Sequence, residues 1–230
     1  MGEYEMISVI DYGAGNIQSV IKAFHHIGCE VQVTADREVI KASDAAILPG
    51  VGAFGDSMNC LKNAGLVQPV LDFIESGKPF LGICLGLQLL FEGSEESPGV
   101  RGLGVLEGKI LRIPADRGLK VPHIGWNSLE LRSQSGLFAG LEEDPYVYFV
   151  HSYYLHADDP SVVSSTTEYG VRIDSAGKPI CHAVPSGKKR ADGPQDVAEF
   201  CRADRRGLRR NGTCMQRESS PAWTSTTEEW

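Results

Sequence analysis

Short apolar runs alternate with helical patterns through the first half of the chain. Met6–Ile10 and Asp44–Leu48 are each long enough for one buried strand, and each is followed by a glycine-rich turn. Between positions 17 and 24, apolar residues recur at the spacing of one helix face. Because strands that are apolar on both sides lie under helices, this alternation is typical of a parallel sheet covered on both faces. The sequence therefore predicts an α/β fold.

The same patterns extend the prediction along the chain, and no internal repeat, linker or second domain interrupts them. From about residue 100 the strand-like runs are short and separated by turns, which favours antiparallel sheet. The further elements predicted are strands at Glu30–Val33, Lys78–Ile83, Gly108–Ile113 and Tyr146–Val150, and helices over about 57–76 and from Leu85 to about Phe91.

Composition limits the classes of function. With 230 residues, 42% of them hydrophobic, the chain can bury the core of one α/β domain. A net charge of −8 disfavours binding to nucleic acid or anionic lipid. The acidic N-terminus and the lack of a long apolar run predict a cytoplasmic protein without membrane contact. The six cysteines are scattered without paired spacing, so we expect free thiols and neither a metal site nor a cofactor.

Cys84 is the strongest candidate for a nucleophile. It lies between a predicted strand and a predicted helix, and Gly82 and Gly86 permit the tight turn that exposes a side chain at the carboxyl edge of a sheet. The positive end of the helix is directed at the sulfur, which activates a thiol nucleophile. The N–H of Leu85 is placed to bind an oxyanion, and the loop Pro49–Gly52 is the candidate for a second donor. The alternative is a buried structural cysteine in an ordinary turn.

Five separated motifs carry a resemblance to one family. GICLGLQ at 82–88 is typical of class I glutaminase domains in general, whereas DYGAGN at 11–16 and HIGWN at 123–127 select one of them. Together with LPGVGAFGDSM at 48–58 and YFVHSYY at 148–154, they make the chain resemble the glutaminase subunit of imidazole glycerol phosphate synthase from residue 7 to about residue 175. The implied fold is that of class I glutamine amidotransferases, a flavodoxin-like mixed sheet covered by helices, with an additional antiparallel region.

The resemblance implies both the chemistry and the partner. Glutamine would be hydrolysed to glutamate and ammonia through a thioester on Cys84. The ammonia would pass to a (β/α)8-barrel cyclase subunit, the partner in a heterodimer, which makes imidazole glycerol phosphate and aminoimidazole carboxamide ribotide in histidine biosynthesis. Carried onto this chain, the oxyanion and substrate-binding residues are Gly50, Val51, Gly52, Leu85, Gln88, Ser152 and Tyr153, and Asn16 and Trp126 lie towards the cyclase interface.

Several of these motif residues also have a simpler interpretation. Gln88 could be a solvated residue one turn into its helix. Trp126 is of a type found more often in cores than at interfaces. His123, His151 and His156 sit in or beside strand-like runs, where a structural, hydrogen-bonded histidine is more common than a catalytic one.

The catalytic base is missing from the chain as written. A cysteine glutaminase needs a histidine to move protons and a carboxylate to orient that histidine. In the family both come from a late His-Pro-Glu-Lys segment that follows a strand, whereas this chain contains no His-x-Glu. Its only histidine after His156 is His182, which has no carboxylate two positions on.

A shift of one nucleotide in the reading frame restores that segment. With suitable codons, Lys178–Lys189 moved forward by one nucleotide reads Asn-Leu-Phe-Ala-Thr-Gln-Phe-His-Pro-Glu-Lys. The charge changes at the same place, since residues 1–177 carry 12 Lys and Arg against 23 Asp and Glu, whereas residues 178–230 carry 10 against 7. We therefore expect an amidotransferase domain at 1–177 and a frameshifted, aberrant tail at 178–230, with the final strand and helix of the fold lost or disordered. A genuine basic regulatory tail is the alternative.

Three functions remain open from the sequence. The first is a glutaminase subunit whose chain, as written, is inactive for lack of the His-x-Glu pair. The second is a pseudo-glutaminase that only binds the cyclase, and the third is an unrelated cysteine hydrolase that uses another base, such as His151 or His182. The glutaminase motifs outside the Cys84 turn favour the first, because they have no role in the third.

Overall fold

A four-stranded parallel sheet forms the centre of the first half of the chain. The computed structural model describes residues 6–115, 118–132, 138 and 145–177, so the predicted tail at 178–230 lies outside the described residues. The β3–β4 pair is parallel with Leu48 opposite Gly82, which brings the carboxyl ends of these two strands side by side. The strands are β1 (Ile7–Ile10), β2 (Gln32–Thr34), β3 (Ala45–Leu48) and β4 (Phe80–Gly82), in the spatial order β2-β1-β3-β4.

Helices cover both faces of this sheet because alternate strand residues point to opposite sides. On one face, Val20 and Phe24 of the first helix pack with Val9 and Ile47. On the other face, Ile10 belongs to a larger core that includes residues from the four later helices. This arrangement confirms the predicted α/β class. The helices are α1 (Ile17–His26), α2 (Arg37–Ala42), α3 (Phe54–Asn63), α4 (Val67–Glu75) and α5 (Leu85–Gln88).

The single helix predicted over about 57–76 is wrong, because the chain forms two helices there, α3 and α4. Gly65 adopts a φ of 67° between them. The N–H of Gly65 donates to the carbonyl of Lys62 at 3.0 Å, and the N–H of Leu66 donates to the carbonyl of Leu61 at 3.1 Å. This pair of bonds is the Schellman motif, which ends a helix at a left-handed residue. Apolar spacing continues across the break, so periodicity alone does not reveal it.

The remaining differences are smaller and concern element boundaries and one short helix. The second strand begins at Gln32 rather than at Glu30, and α5 ends at Gln88 rather than near Phe91. The sequence prediction lacks α2 altogether. The side chain of Asp36 caps this short helix by accepting hydrogen bonds from the N–H groups of Glu38 and Val39, which is the usual role of an aspartate before a first turn.

The second half of the described chain is antiparallel, as predicted. One sheet has the strand order β5-β9-β11-β10-β7, and β6 and β8 form a separate pair. The strands are β5 (Gly108–Arg112), β6 (His123–Ser128), β7 (Glu130–Leu131), β8 (Tyr146–His151), β9 (Tyr153–Ala157), β10 (Val163–Glu168) and β11 (Arg172–Gly177).

Among the described residues, no helix is long and apolar enough to span a membrane.

The β6–β8 pair exposes an apolar surface. Ile124 lies opposite Val150, and Trp126 lies opposite Tyr148. Because strand side chains alternate between faces, these residues share one face with Tyr146. All of them are more than half exposed, and Trp126 is 70% exposed. We call Ile124, Trp126, Tyr146, Tyr148 and Val150 the β6–β8 apolar face.

The opposite face of the same pair holds two histidines in contact, His123 buried and His151 half-buried. His123 is 4% exposed and is stacked against Phe149 and Tyr169. Its Nδ1 lies 3.0 Å from Nε2 of His151, whose own Nδ1 lies 2.9 Å from the carbonyl of Tyr153. Since a carbonyl only accepts, His151 donates from Nδ1 and accepts at Nε2 from His123. Burial lowers the pKa of both histidines, and the neighbouring His151 lowers the pKa of His123 further.

The free energy of unfolding should therefore fall as the pH falls, over a range set by the pKa values of His123 and His151. The unfolded chain takes up protons on these histidines as the pH falls below about 6.5, whereas the folded chain resists until a lower pH. The free energy of unfolding should be independent of this pair above about pH 7 and should fall between about pH 6.5 and the lower folded pKa values. Urea unfolding followed by tryptophan fluorescence from pH 8 to pH 5 measures this slope.

The control separates this pair from the other acid-sensitive groups. His151→Gln should flatten the slope, whereas His26→Gln, which removes an exposed histidine at the end of α1, should leave it unchanged. An identical slope in the wild type and in His151→Gln contradicts the prediction.

Candidate active site

Cys84 occupies a sharp turn between β4 and α5. Its backbone has φ 53° and ψ −116°, and it is the only residue other than glycine with a positive φ in the described part of the chain. Such a conformation costs about 1–3 kcal/mol and persists only where the surroundings impose it. The side chain is exposed. Cys84 is therefore a strained, accessible thiol, and the alternative of a buried structural cysteine is wrong.

Two glycines make the turn sterically feasible. A Cβ on Gly82 would lie 2.7 Å from Cα of Leu87, and a Cβ on Gly86 would lie 1.8 Å from the carbonyl oxygen of Leu48. The N–H of Ile83 also donates to that oxygen at 3.0 Å. The start of α5 is thus pressed against the end of β3, which is the source of the close packing that holds Cys84 in its turn.

The predicted oxyanion loop borders this turn. A Cβ on Gly50 would lie 2.5 Å from the backbone nitrogen of Gly86 and 2.9 Å from Cβ of Leu85. Gly52 has a φ of 92°, and Val51 is half exposed. Sequence reasoning placed Gly50 and Leu85 near Cys84, and the structure brings these backbone segments together. An oxyanion site at Leu85 and this loop remains a prediction that the geometry permits.

Helix α5 is shorter than predicted. It has only four residues, Leu85–Gln88, so a single helical turn follows Cys84. Gln88 closes that turn, is half-buried, and donates its N–H to the carbonyl of Cys84 at 3.2 Å. It is therefore not a fully solvated surface residue.

Ser152 and Tyr153 lie in the antiparallel half of the chain. Ser152 connects β8 to β9, where its carbonyl accepts from the N–H of Ile113 at 3.0 Å, and Tyr153 is the first residue of β9. No hydrogen bond between described residues links either of them to Cys84. Their role in binding the substrate stays a prediction.

No histidine in the described part of the chain is hydrogen-bonded to Cys84. Both ring nitrogens of His151 are engaged, by His123 and by the carbonyl of Tyr153, so His151 has no free nitrogen to accept a proton from a thiol. His156 is exposed and lies opposite Lys109 on β5. His182 lies outside the described residues. The same part of the chain holds no group of three side chains suited to a metal ion.

Asn16 and Trp126, predicted near the partner, are both on the surface. Asn16 caps the N-terminus of α1, where its side-chain oxygen accepts from the N–H of Ser19 at 3.2 Å. Trp126 belongs to the β6–β8 apolar face, so the alternative that it is a core residue is wrong.

Sequence reasoning missed the residues that anchor the Pro49–Gly52 loop, the predicted oxyanion loop. Tyr12 donates from its hydroxyl to the carbonyl of Pro49 at 2.8 Å, at the start of the loop. Just beyond the loop, α3 begins with Phe54, whose N–H donates to the Glu96 carboxylate at 2.8 Å, and with Gly55, whose N–H donates to the Ser97 hydroxyl at 2.9 Å. The only signal for Tyr12 is its place in DYGAGN, and nothing in local spacing indicates Glu96 or Ser97.

Comparison with known proteins decides the family. The family model described as "Glutamine amidotransferase class-I" matches residues 8–182. The subunit HisH of imidazole glycerol phosphate synthase from Syntrophotalea carbinolica is 49% identical over 72% of this chain and 82% of its own length. The corresponding subunit from Methanothermobacter thermautotrophicus is 51% identical over 74% and 83%. This chain belongs to the HisH family. It is accordingly a class I glutamine amidotransferase subunit of histidine biosynthesis.

Other relatives and solved structures agree with that assignment. The HisH subunit from Rhodopirellula baltica is 42% identical over 86% of this chain and 98% of its own length. A crystal structure of a glutamine amidotransferase superposes with a TM-score of 0.56 at 20% identity, covering 78% of this chain and 93% of the other. PurLQS from Thermotoga maritima superposes with a TM-score of 0.55 at 18% identity over 76% and 78%. At these identities the structures confirm the class I amidotransferase fold and nothing finer.

The packing of α5 on β3 predicts that Gly86→Ala disrupts this HisH-family domain. The new methyl group would overlap the carbonyl of Leu48, which belongs to a strand and cannot withdraw. We expect a loss of about 2–4 kcal/mol in the free energy of unfolding, measured by urea unfolding.

Gly93→Ala is the matched control. Its Cβ would meet only the carbonyl of Val100 at 3.4 Å, an ordinary contact, so its stability should stay within about 1 kcal/mol of the wild type. Equal stability of Gly86→Ala and Gly93→Ala would show that the close approach does not hold the turn.

Proposed function

We propose that this fold hydrolyses glutamine at Cys84 and supplies the ammonia to a cyclase subunit. The sulfur attacks the carbon of the side-chain carboxamide, and the carbon–nitrogen bond breaks as the thiol proton passes to the leaving nitrogen, which departs as ammonia. Water then cleaves the thioester to give glutamate and the free thiol. The observation that carries the proposal is that Cys84, between β4 and α5, has a strained backbone conformation and an exposed side chain. Unfavourable torsion at one accessible thiol is typical of a nucleophile.

The oxyanion of each tetrahedral intermediate would be bound by backbone donors. The N–H of Leu85 has no hydrogen-bond partner within the described residues, and the Gly50–Gly52 backbone borders the same turn. Donors that are already fixed in place stabilise developing charge without reorganisation. Gln88, Ser152 and Tyr153 would hold the amino-acid end of glutamine, as the family resemblance implies.

The β6–β8 apolar face supports docking of the (β/α)8-barrel cyclase in a heterodimer. Three aromatic and two aliphatic side chains form one exposed surface, in which the rings of Trp126 and Tyr148 make an edge-to-face contact. Exposed apolar patches rich in aromatic residues are typical of protein interfaces. The partner would thus cover the side chains that the folded domain leaves in water.

The frameshifted tail would explain why the proton-transfer groups are missing. The family match ends at residue 182, close to the point where the shifted frame would begin. In addition, β4 pairs only with β3 among the described strands, which leaves an edge beside Cys84 for the strand that the restored frame encodes.

A second candidate function is that of a pseudo-glutaminase. The chain as written keeps the β6–β8 apolar face and the Asn16 surface but has no His-x-Glu. Such a protein would form a stable complex with the cyclase and release no ammonia. Correctly folded chain that fails to bind the cyclase would exclude this alternative.

Restoring the frame should restore catalysis. Loss of a general acid–base group costs about 10²–10⁴ in rate. A variant whose frame is corrected after codon 177, so that it encodes His-Pro-Glu-Lys, should release ammonia from glutamine faster than the chain as written by at least that factor, with the cyclase subunit present. An assay coupled to glutamate dehydrogenase measures the ammonia.

Two controls complete this experiment. Cys84→Ser in the corrected chain should abolish the gain, because the thioester cannot form. Sequencing of the gene across codons 170–205 tests the frame itself. Equal ammonia release from both chains, or an uninterrupted frame without a length error, would overturn the frameshift proposal.

Trp126→Ala should weaken binding to the cyclase subunit. Removing a tryptophan from the centre of an interface typically costs about 2 kcal/mol or more, which is roughly a 30-fold increase in Kd. Isothermal titration of the cyclase into the chain measures it. Val33→Ala is the control, since Val33 is exposed on β2 in the other sheet and its loss should change Kd less than about twofold. An unchanged Kd for Trp126→Ala would remove the apolar face from the interface.

A further inference from the structure

A buried hydroxyl connects the Asp11–Asn16 loop to the oxyanion loop. Tyr12 follows β1, is 3% exposed, and donates to the carbonyl of Pro49 at 2.8 Å. Burial raises the pKa of Tyr12 to about 12, so the hydroxyl remains a donor at neutral pH. Gly15 of the same loop lies close to Pro49, since a Cβ added to Gly15 would lie only 3.3 Å from the Pro49 ring.

A second buried hydroxyl holds the same loop. Ser57, in the first turns of α3, is 2% exposed and donates to the carbonyl of Val51 at 3.3 Å. The carbonyls of Pro49 and Val51 thus each accept a hydrogen bond from a buried hydroxyl group, that of Tyr12 and that of Ser57 respectively.

The orientation of these two carbonyls also determines the orientation of two N–H groups. In a trans peptide unit the C=O and the following N–H point in opposite directions, and the only cis bond in the described part of the chain is Val121–Pro122. The N–H groups of Gly50 and Gly52 are therefore directed away from Tyr12 and Ser57. Glycine imposes little torsional restraint of its own, so the orientation of these peptide units depends on what holds their carbonyls.

We propose that Tyr12 is a positioning residue for the oxyanion site, acting through its hydrogen bond to the Pro49 carbonyl. This inference rests on the proposed function of the Pro49–Gly52 loop. Without the hydroxyl, the Pro49 carbonyl loses its buried donor, and the peptide unit that carries the Gly50 N–H can rotate. The hydroxyl thereby links the surface around Asn16 to the donors beside Cys84.

The test compares Tyr12→Phe with Tyr169→Phe in the full chain. Tyr169 also donates its hydroxyl to a backbone carbonyl, that of Lys120, at 2.9 Å, but in the antiparallel half. Each variant is treated with the chloromethyl ketone analogue of glutamine, whose ketone oxygen would occupy the oxyanion site, with chloroacetone, and with iodoacetamide. Mass spectrometry of the Cys84 peptide measures each rate of alkylation.

Tyr12→Phe should react with the glutamine analogue about three- to tenfold more slowly than the wild type, the effect of one lost hydrogen bond. Its reaction with iodoacetamide, which needs no oxyanion donor, should be unchanged, and Tyr169→Phe should match the wild type with every reagent. Ser57→Ala should shift the rates in the same direction as Tyr12→Phe, and it serves as the second variant if Tyr12→Phe unfolds.

The unfavourable outcomes point to different failures. Tyr12 does not position the Pro49–Gly52 loop if Tyr12→Phe and Ser57→Ala both react like Tyr169→Phe. The same conclusion holds if their reactions with the glutamine analogue and with iodoacetamide are slowed by the same factor. In either case the proposed glutaminase function is unaffected. If wild-type Cys84 shows no preference for the glutamine analogue over chloroacetone, the glutamine site itself is absent, and both proposals fail.

Discussion

The contact between the start of α5 and the end of β3 is the constraint on which the rest of the site depends. Gly86 lies so close to the Leu48 carbonyl that no side chain fits between them. That contact forces the backbone of Cys84 into a left-handed conformation, and it also brings the Pro49–Gly52 loop against the same turn. One close contact thus lies beside both Cys84 and the backbone segments that the proposed mechanism uses.

The parts of the fold that could be predicted are those set by local pattern. The buried strands and the amphipathic helix α1 follow from apolar spacing, and the turn at Cys84 follows from Gly82 and Gly86. The break between α3 and α4 could not be read from periodicity, because it depends on the left-handed conformation of Gly65. The helix α2 was missed because a helix of six residues is too short to show a recognisable apolar period.

The candidate site divides in the same way. Cys84 could be found from its neighbours in sequence, whereas Tyr12, Glu96 and Ser97 act across long separations in the chain and leave no local pattern. The motif DYGAGN identified the family, but only the fold shows that its tyrosine reaches Pro49. The alternative base His151 likewise depends on tertiary contacts, since its pairing with His123 is formed across two strands.

The β6–β8 apolar face has a consequence for the behaviour of the isolated chain in solution. A chain that carries three exposed aromatic and two exposed aliphatic side chains on a single surface is prone to self-association whenever nothing covers it. Two copies that meet through this face would bury the same side chains that the proposed cyclase interface uses. Self-association and docking of the cyclase would therefore compete for one surface, and the fraction of chain available to the cyclase would fall as the concentration of the chain rises.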